Sequence, residues 1–185
     1  RFNSCPHLHM EITQTYLEER LRLLSLASPE TPSFKSEEEF VAYATKTILS
    51  KKFRKYAIDA DTLPHIQNAL ALSFRRKEPI KFVMPFGGYK LWCLEEAPEV
   101  DWAELFSMMF YAAWLKPIAE VYEPGIWFDF SSDDVVVERM DNIPKSDTEA
   151  YKRSFEDVIT FLEIYIPKNL KFTFTPVGAR YVLGE

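Results

Sequence analysis

Glycine and cysteine are scarce in this sequence, which holds only five glycines and two cysteines among 185 residues. Cys5 and Cys93 are too few for a disulfide framework, which excludes a small disulfide-stapled scaffold. The first residues also lack the basic and then apolar pattern of a secretory leader. We therefore predict a reducing, cytoplasmic location. The chain starts with Arg1 and stops just after a strand-like run, a pattern compatible with a fragment of a longer chain.

Long apolar runs are missing as well. The longest, LFSMMFYAAWL, has eleven residues, well short of the ~20 that a membrane-spanning helix needs, so we expect no membrane interaction. Aromatic residues are abundant, with 15 Phe, 9 Tyr and 4 Trp in a chain that is 47% hydrophobic. This composition and length indicate one globular domain. The net charge of −6 argues against general coating of nucleic acid.

Residues 1–78 are predicted to be helical. Apolar residues recur at helical spacing over about 11–26, 36–49 and 61–74. Ser36 and Glu39 have the spacing of a capping box at the start of the second of these helices.

Residues 79–185 change to an alternation of strand and helix. Apolar runs at about 80–86, 126–131 and 170–175 indicate buried strands, and the segments 101–122 and 147–165 have helical spacing. Strands joined by crossover helices are parallel, and such sheets are usually covered on both faces. We predict an α/β fold with a Rossmann-like parallel sheet and flanking helices, the helical N-terminal part belonging to the same single domain of residues 1–185.

Gly87 and Gly88 stand side by side at the end of the first predicted strand. Glycine admits positive φ and lets a ligand approach main-chain N–H groups closely, and open parallel sheets bind ligands at the carboxyl ends of their strands. Tyr89 and Lys90 follow directly and add an aromatic ring and a mobile cation. We interpret these four residues as a substrate-binding loop in which Lys90 is a catalytic candidate; a tight turn is the structural alternative.

The second predicted strand ends in the polar turn SSDD. Ser132 and Asp133 are catalytic candidates, because their hydroxyl and carboxylate groups could hold a cationic group of a substrate or a metal with a sugar phosphate. Asp134 is a weaker binding candidate, because capping of a following helical turn would explain it equally well. We predict a ligand site between this turn and the glycine loop.

Other chemical signatures are weak or missing. Neither G-x-G-x-x-G nor a P-loop occurs, so we expect no nucleotide cofactor. Cys5, His7 and His9 supply only three potential ligands near a terminus, which is poor zinc spacing, and we expect no metal. His65 lies in a helical first turn and is predicted to be structural or solvated. A G-x-S-x-G elbow is also missing.

The middle of the chain resembles the isocyanide (isonitrile) synthase family of pyoverdine and dityrosine biosynthesis. The resemblance covers about residues 79–160 and rests on the order and spacing of four stretches: PIKFVMPFGGYK, APEVDWAELF, YEPGIWFDFSSDD and DTEAYKRSFEDVI. The sequence departs from the family pattern at Gly87, Gly88 and Tyr89, where the family has a Phe-Pro type of loop. It departs again at Asp134, where the family has glycine.

The resemblance implies a small-molecule biosynthetic enzyme, a transferase or synthase of secondary metabolism. The family converts the amine of an amino acid to an isocyanide with a carbon from ribulose 5-phosphate, beginning with condensation of the amine and the ketone. Lys90 matches the family's loop lysine and would bind phosphate or stabilise developing charge. Ser132 and Asp133 match the strand-end pair and would orient the amine or the sugar hydroxyls.

Two alternatives follow from other features. The basic segments 51–55 and 75–77 would suit an aminoacyl-tRNA donor, as in tRNA-dependent cyclodipeptide synthases, although a solvated helix face explains them too. A non-enzymatic ligand-binding or sensor domain would use the same rim without turnover.

Overall fold

The structure, a computed structural model, describes residues 6–27, 32–53, 57–86, 100–140 and 142–178. These residues form six helices and three strands. In chain order they are α1 (Pro6–Ser25), α2 (Glu37–Ile48), α3 (Thr62–Arg76), β1 (Ile80–Phe86), α4 (Trp102–Ala119), β2 (Ile126–Ser132), α5 (Asp134–Met140), α6 (Lys145–Leu162) and β3 (Leu170–Pro176). In these ranges, no helix combines the length and apolar character needed to cross a membrane.

The three strands form one parallel sheet in the order β1-β2-β3. Ile80 pairs with Ile126, which in turn pairs with Leu170, so the strands begin at the same level. This confirms the predicted strands, their parallel direction and the two crossover helices. The protein therefore has an α/β architecture.

Local capping explains why α4 begins where it does. The side chain of Asp101 accepts a hydrogen bond from the N–H of Ala103 at 2.6 Å, and the Glu104 carboxylate accepts one from the N–H of Asp101 at 2.9 Å. These bonds satisfy donors that a helix start leaves open. The predicted Ser36 cap of α2 is also present, since its hydroxyl accepts from the N–H of Glu39.

Helices α4 and α6 pack on the same face of the sheet. The Tyr111 ring of α4 lies 4.7 Å from the Phe128 ring of β2. The Phe155 ring of α6 lies 5.1 Å from Phe130 of β2 and 4.5 Å from Phe174 of β3. Alternate residues of a strand point to one face, so both helices bury the same row of aromatic side chains.

The prediction that both faces of the sheet are covered is wrong for the described residues. Val83 and Trp127 point to the other face and are 55% and 37% exposed. The reason is the strand order, which follows the chain order. Right-handed crossovers between strands in that order bring each helix to the same side. Coverage of both sides by such crossovers requires a reversal of the strand order.

The N-terminal helices join the same hydrophobic core. Phe40 of α2 is fully buried and stacks on Phe74 of α3 and on Tyr122, which follows α4, at 5.0 and 4.7 Å. The Tyr122 hydroxyl donates hydrogen bonds to the carbonyl oxygens of Ser73 and Glu78, both at 2.8 Å. These contacts connect the helical part to the sheet.

Candidate functional site at the carboxyl edge of the sheet

The three strands end at one level, which creates a shared carboxyl edge. Phe86 pairs with Ser132, and Ser132 pairs with Pro176. Ser132 is buried and lies at the centre of this edge, at the end of the middle strand. It lies two residues beyond Phe130 and shares the helix-covered face of the sheet. Any group bound beside Ser132 would contact the ends of the neighbouring strands.

Asp133 lies between the end of β2 and the start of α5. Its carbonyl oxygen accepts hydrogen bonds from the N–H groups of Val136 and Val137 at 2.9 and 3.1 Å, which is the role of a residue before a helix start. The sequence interpretation gave that capping position to Asp134. That detail is wrong, because the helix already begins at Asp134.

Asp134 instead connects the ends of β2 and β3. Its carboxylate accepts a hydrogen bond from the N–H of Gly178 at 3.3 Å. A Cβ atom on Gly178 would lie 2.6 Å from a methyl carbon of Val135, so a side chain there would force the two segments apart. Sequence analysis missed Gly178. The sequence feature that could have indicated this contact is a glycine two residues after Pro176, the last residue of β3.

A buried acid and a tyrosine meet at the start of the two crossover helices. The Tyr151 hydroxyl of α6 donates a hydrogen bond to Oε1 of Glu104 of α4 at 3.1 Å, and both residues are about 95% or more buried. Burial raises the pKa of Tyr151, and the Glu104 carboxylate raises it further. The phenol therefore keeps its proton at every ordinary pH and remains a donor to the carboxylate.

This pair lies next to the carboxyl edge. The Tyr151 ring packs against Phe174 of β3, with 6.1 Å between centroids, and Phe174 is two residues before Pro176 at the strand end. The Ser154 hydroxyl of α6 accepts a hydrogen bond from the N–H of Val100, just before α4, at 3.2 Å. Sequence analysis included Glu104 and Tyr151 in the quoted stretches but did not identify them as site residues, since partners 47 residues apart have no local signal.

The other half of the predicted site lies outside the described residues. This applies to Gly87, Gly88, Tyr89 and Lys90, so the substrate-binding loop and the role of Lys90 stay predictions. The sheet edge contributes Ser132, Asp133 and Asp134, whose roles toward a ligand stay predictions as well. Cys5, Cys93 and the side chains of His7 and His9 also lie outside the described part of the chain.

The basic segment 75–77 is partly neutralised within the protein. The Arg75 guanidinium forms two hydrogen bonds of 2.7 Å to the carboxylate of Glu37. Arg76 lies 4.0 Å from Glu78. In the segment 51–55, Lys51 and Lys52 are exposed. The Arg75 guanidinium is thus already bound to a carboxylate.

Comparison with known proteins identifies one similar fold. No protein-family model matches the sequence, and no curated protein matches it. Among solved structures, the fold is similar to the crystal structure of the PvcA protein from Pseudomonas aeruginosa, with a TM-score of 0.52 and 21% sequence identity. The match covers 77% of this chain and 49% of the PvcA chain, so it spans about half of that protein. At this identity the likeness shows a shared fold alone.

Proposed function

We propose that this protein is a biosynthetic enzyme similar to the isocyanide synthases, and that it condenses the amine of an amino acid with a sugar phosphate. One observation carries the proposal. Stretches that are far apart in the sequence and that carry the family resemblance meet at one edge of the parallel sheet. Glu104 from one stretch accepts a hydrogen bond from Tyr151 of another, and the Tyr151 ring packs near the end of β3, the strand that pairs with the end of β2 at Ser132.

The fold likeness supports the same family from an independent direction. PvcA is a pyoverdine-related isocyanide synthase, and the motif resemblance over residues 79–160 indicates the isocyanide synthase family of pyoverdine and dityrosine biosynthesis without any use of the fold. A Rossmann-like sheet is part of this proposal. The three described strands have the parallel crossovers of such a sheet, and the reversal of strand order would have to come from strands outside them.

The first chemical step would be formation of a carbon–nitrogen double bond. The free amine of the amino acid attacks the ketone carbon, and the ketone oxygen leaves as water. Asp133 would hold the substrate ammonium group and accept the proton that it must lose before attack. Ser132 would hydrogen-bond the sugar hydroxyls, and Lys90 would pair with the phosphate.

The neighbouring Glu104 and Tyr151 have a different task in this proposal. Their buried hydrogen bond joins the first turn of α4 to the second turn of α6, the two helices that begin at the carboxyl edge. Because the tyrosine stays protonated and the acid faces it, the pair holds those helix starts in one arrangement. Glu104 and Tyr151 are therefore positioning residues, whereas Ser132, Asp133 and Lys90 would touch the substrate.

The test is an isotope-transfer assay. The purified protein is incubated with each of the twenty amino acids and uniformly ¹³C-labelled ribulose 5-phosphate, and products are identified by mass spectrometry. We expect one labelled carbon to appear in a product of one amino acid. Ser132→Ala, Asp133→Asn and Lys90→Ala should each lower the rate about 10-fold or more, as expected for lost hydrogen bonds to charged groups.

A matched control is Asp157→Asn, a change of an exposed acid on the outer surface of α6, which should leave the rate unchanged. Absence of label transfer with all amino acids would contradict the proposed reaction. Saturable binding of an amino acid without any turnover would favour the sensor alternative. The tRNA-dependent alternative has weaker support, since Glu37 already binds Arg75; it would require tRNA binding that weakens when Arg75, Arg76 and Lys77 are replaced with alanine.

A further inference from the structure

A cavity lies between α1 and α4, away from the strand ends. It has a volume of about 670 Å³, within the ~300–1,000 Å³ range of small-molecule pockets. Its walls include Tyr16, Arg20 and Leu23 of α1, Phe106 and Phe110 of α4, and Phe53 from the segment after α2. The cavity is therefore built mainly from aromatic and aliphatic side chains.

The cavity occupies a different side of α4 from the sheet. Tyr111 and Trp114 of this helix contact Phe128 and Phe82 of the strands. The cavity is lined by residues at helical spacing on the other side, including Phe106, Phe110 and Ala113. A ligand here would not compete with one bound at the carboxyl edge.

The cavity walls expose an unusual amount of apolar surface. Tyr16, Leu23, Leu26 and Phe110, all in the wall, are each between 43% and 49% exposed. The Phe106 ring joins them, 5.5 Å from the Tyr16 ring. Large apolar side chains grouped around a concavity are characteristic of a binding surface, because water contacts them unfavourably. The apolar body of a ligand would cover them.

The charged groups that the described residues contribute to the cavity wall are all cationic. The Arg20 guanidinium lies 4.9 Å from the Tyr16 ring centre, and the Lys52 ammonium lies 5.2 Å from that of Phe53. The third cation, Lys116, is occupied: its ammonium donates to carbonyl oxygens at the end of α1, including that of Leu24 at 2.6 Å. Among the described residues, Arg20 and Lys52 form no ion pair with an acid, and the cavity wall includes no acidic side chain.

We propose that this cavity binds a small amphipathic carboxylate. Its apolar body would pack against the rings of Tyr16, Phe106 and Phe110, and its carboxylate would pair with Arg20 and Lys52 at the rim. A cation already held against an aromatic ring loses little freedom when it pairs with an anion. The proposal is independent of the reaction proposed for the carboxyl edge.

The test compares three probes with one apolar body and different head groups. Isothermal titration calorimetry measures binding of 4-phenylbutyrate, 4-phenylbutan-1-ol and 4-phenylbutan-1-amine to the purified protein. We expect the carboxylate to bind at least ~10-fold more tightly than the alcohol, and the amine to bind most weakly, because Arg20 and Lys52 attract an anion and repel a cation. Equal affinity for all three, or no saturable carboxylate binding below about 10 mM, would overturn the proposal.

Two pairs of variants locate the site. Arg20→Gln and Lys52→Gln should each weaken carboxylate binding several-fold without affecting the alcohol. Their controls, Arg22→Gln and Lys51→Gln, remove exposed neighbouring cations that do not line the cavity and should change neither. Equal effects in variants and controls would show only general charge attraction and would overturn the proposal.

A cavity-filling variant tests the apolar part. Ala113→Trp places a large ring in the cavity from an exposed position on α4, so the fold should tolerate it. Binding of both the carboxylate and the alcohol should be lost, while Ala103→Trp, an exposed change on the same helix outside the cavity, should preserve both. Retained binding in Ala113→Trp would overturn the assignment, as would a protein that dimerises through this face and loses dimerisation in the same variant.

Discussion

The two faces of the sheet differ in burial, since one is covered by helices and the other carries exposed side chains. On the covered face, Phe128, Phe130 and Phe174 are buried under α4 and α6. On the other face, Val83 and Trp127 remain exposed. Both faces belong to the same three strands, so β propensity does not separate them. The open face carries Lys81, Asp129, Lys171 and Thr173 where the covered face carries Phe, so the alternation along the strands makes one face suitable for burial, and the strand order brings both helices to that face.

One residue breaks the pattern of the open face. Asp129 points to that side but is only 4% exposed. Its Oδ1 accepts hydrogen bonds from the hydroxyls of Thr173 at 2.6 Å and Thr175 at 2.7 Å, and Thr173 accepts one from the indole N–H of Trp127 at 2.7 Å. A buried carboxylate requires such donors. The open face is therefore held by a polar network where the covered face is held by ring packing.

The largest expected effect contrasts the two faces directly. Phe130→Ala removes a fully buried ring and should lower the free energy of unfolding by about 3–5 kcal/mol. Trp127→Ala removes a larger but partly exposed ring and should cost about 1–2 kcal/mol, since less area leaves water on folding. Urea unfolding followed by circular dichroism measures both. Equal losses would mean that the open face is covered in solution.

The next effect tests the polar network. Asp129→Ala removes the shared acceptor of Thr173 and Thr175, and we expect a loss of about 1.5–3 kcal/mol in the free energy of unfolding. Asp129→Asn keeps one acceptor oxygen and should cost less. The exposed Asp157→Ala serves as a control and should stay within about 0.5 kcal/mol of the wild type. A stabilised Asp129→Ala protein would show that burial of the carboxylate costs more than its hydrogen bonds contribute.

We expect the free energy of unfolding to depend on pH through the buried Tyr122. Burial raises the pKa of Tyr122 to about 12, and the Glu78 carboxylate acts in the same direction. Because this folded-state pKa exceeds the ordinary value near 10, the contribution to stability is full below about pH 10 and is lost as the pH rises through about 12. Thermal melting between pH 9 and 12 should fall more steeply in the wild type than in Tyr122→Phe. Parallel pH profiles would contradict this account.

The smallest effect separates the ring of Trp127 from its hydrogen bond. Trp127→Phe removes the indole N–H that Thr173 accepts but keeps an aromatic ring beside Lys81, whose ammonium lies 5.0 Å from the indole. We expect a loss of about 0.5–1 kcal/mol by urea unfolding. A matched variant, Trp102→Phe on the exposed surface of α4, should cost less. A larger loss in the free energy of unfolding for Trp102→Phe would contradict this prediction, because the indole of α4 would then contribute more to stability than the indole of β2.

Much of the fold could be predicted from local pattern. The strand 80–86 was recognised with the bounds observed, because a short apolar run between Pro79 and Gly87 leaves little choice of structure. The crossover helices were found to within three residues at each end. The turn after β2 was placed correctly, but the helix start was assigned one residue away from its position, since Asp133 and Asp134 are both good capping residues.

Less of the candidate site than of the fold could be predicted from the sequence. Ser132 and Asp133 were found because a polar turn after a buried strand is a local feature. The pairing of Glu104 with Tyr151 was not predicted, because each residue taken alone has no feature that distinguishes it from other residues of its helix. The cavity beside Arg20 was missed for the same reason, since its walls come from three separate segments.

By itself, the sequence determined the elements and their directions: periodicity specifies helix or strand, and connection length makes neighbouring strands parallel. Only the tertiary structure decided that both crossover helices cover the same face, where Glu104 finds its donor and why Asp129 can lie buried on an open face. The physical reason is the separation along the chain over which each interaction acts. Backbone preference and side-chain spacing act between near neighbours in the chain, whereas burial and hydrogen-bond pairing depend on segments that meet only after the crossovers have closed.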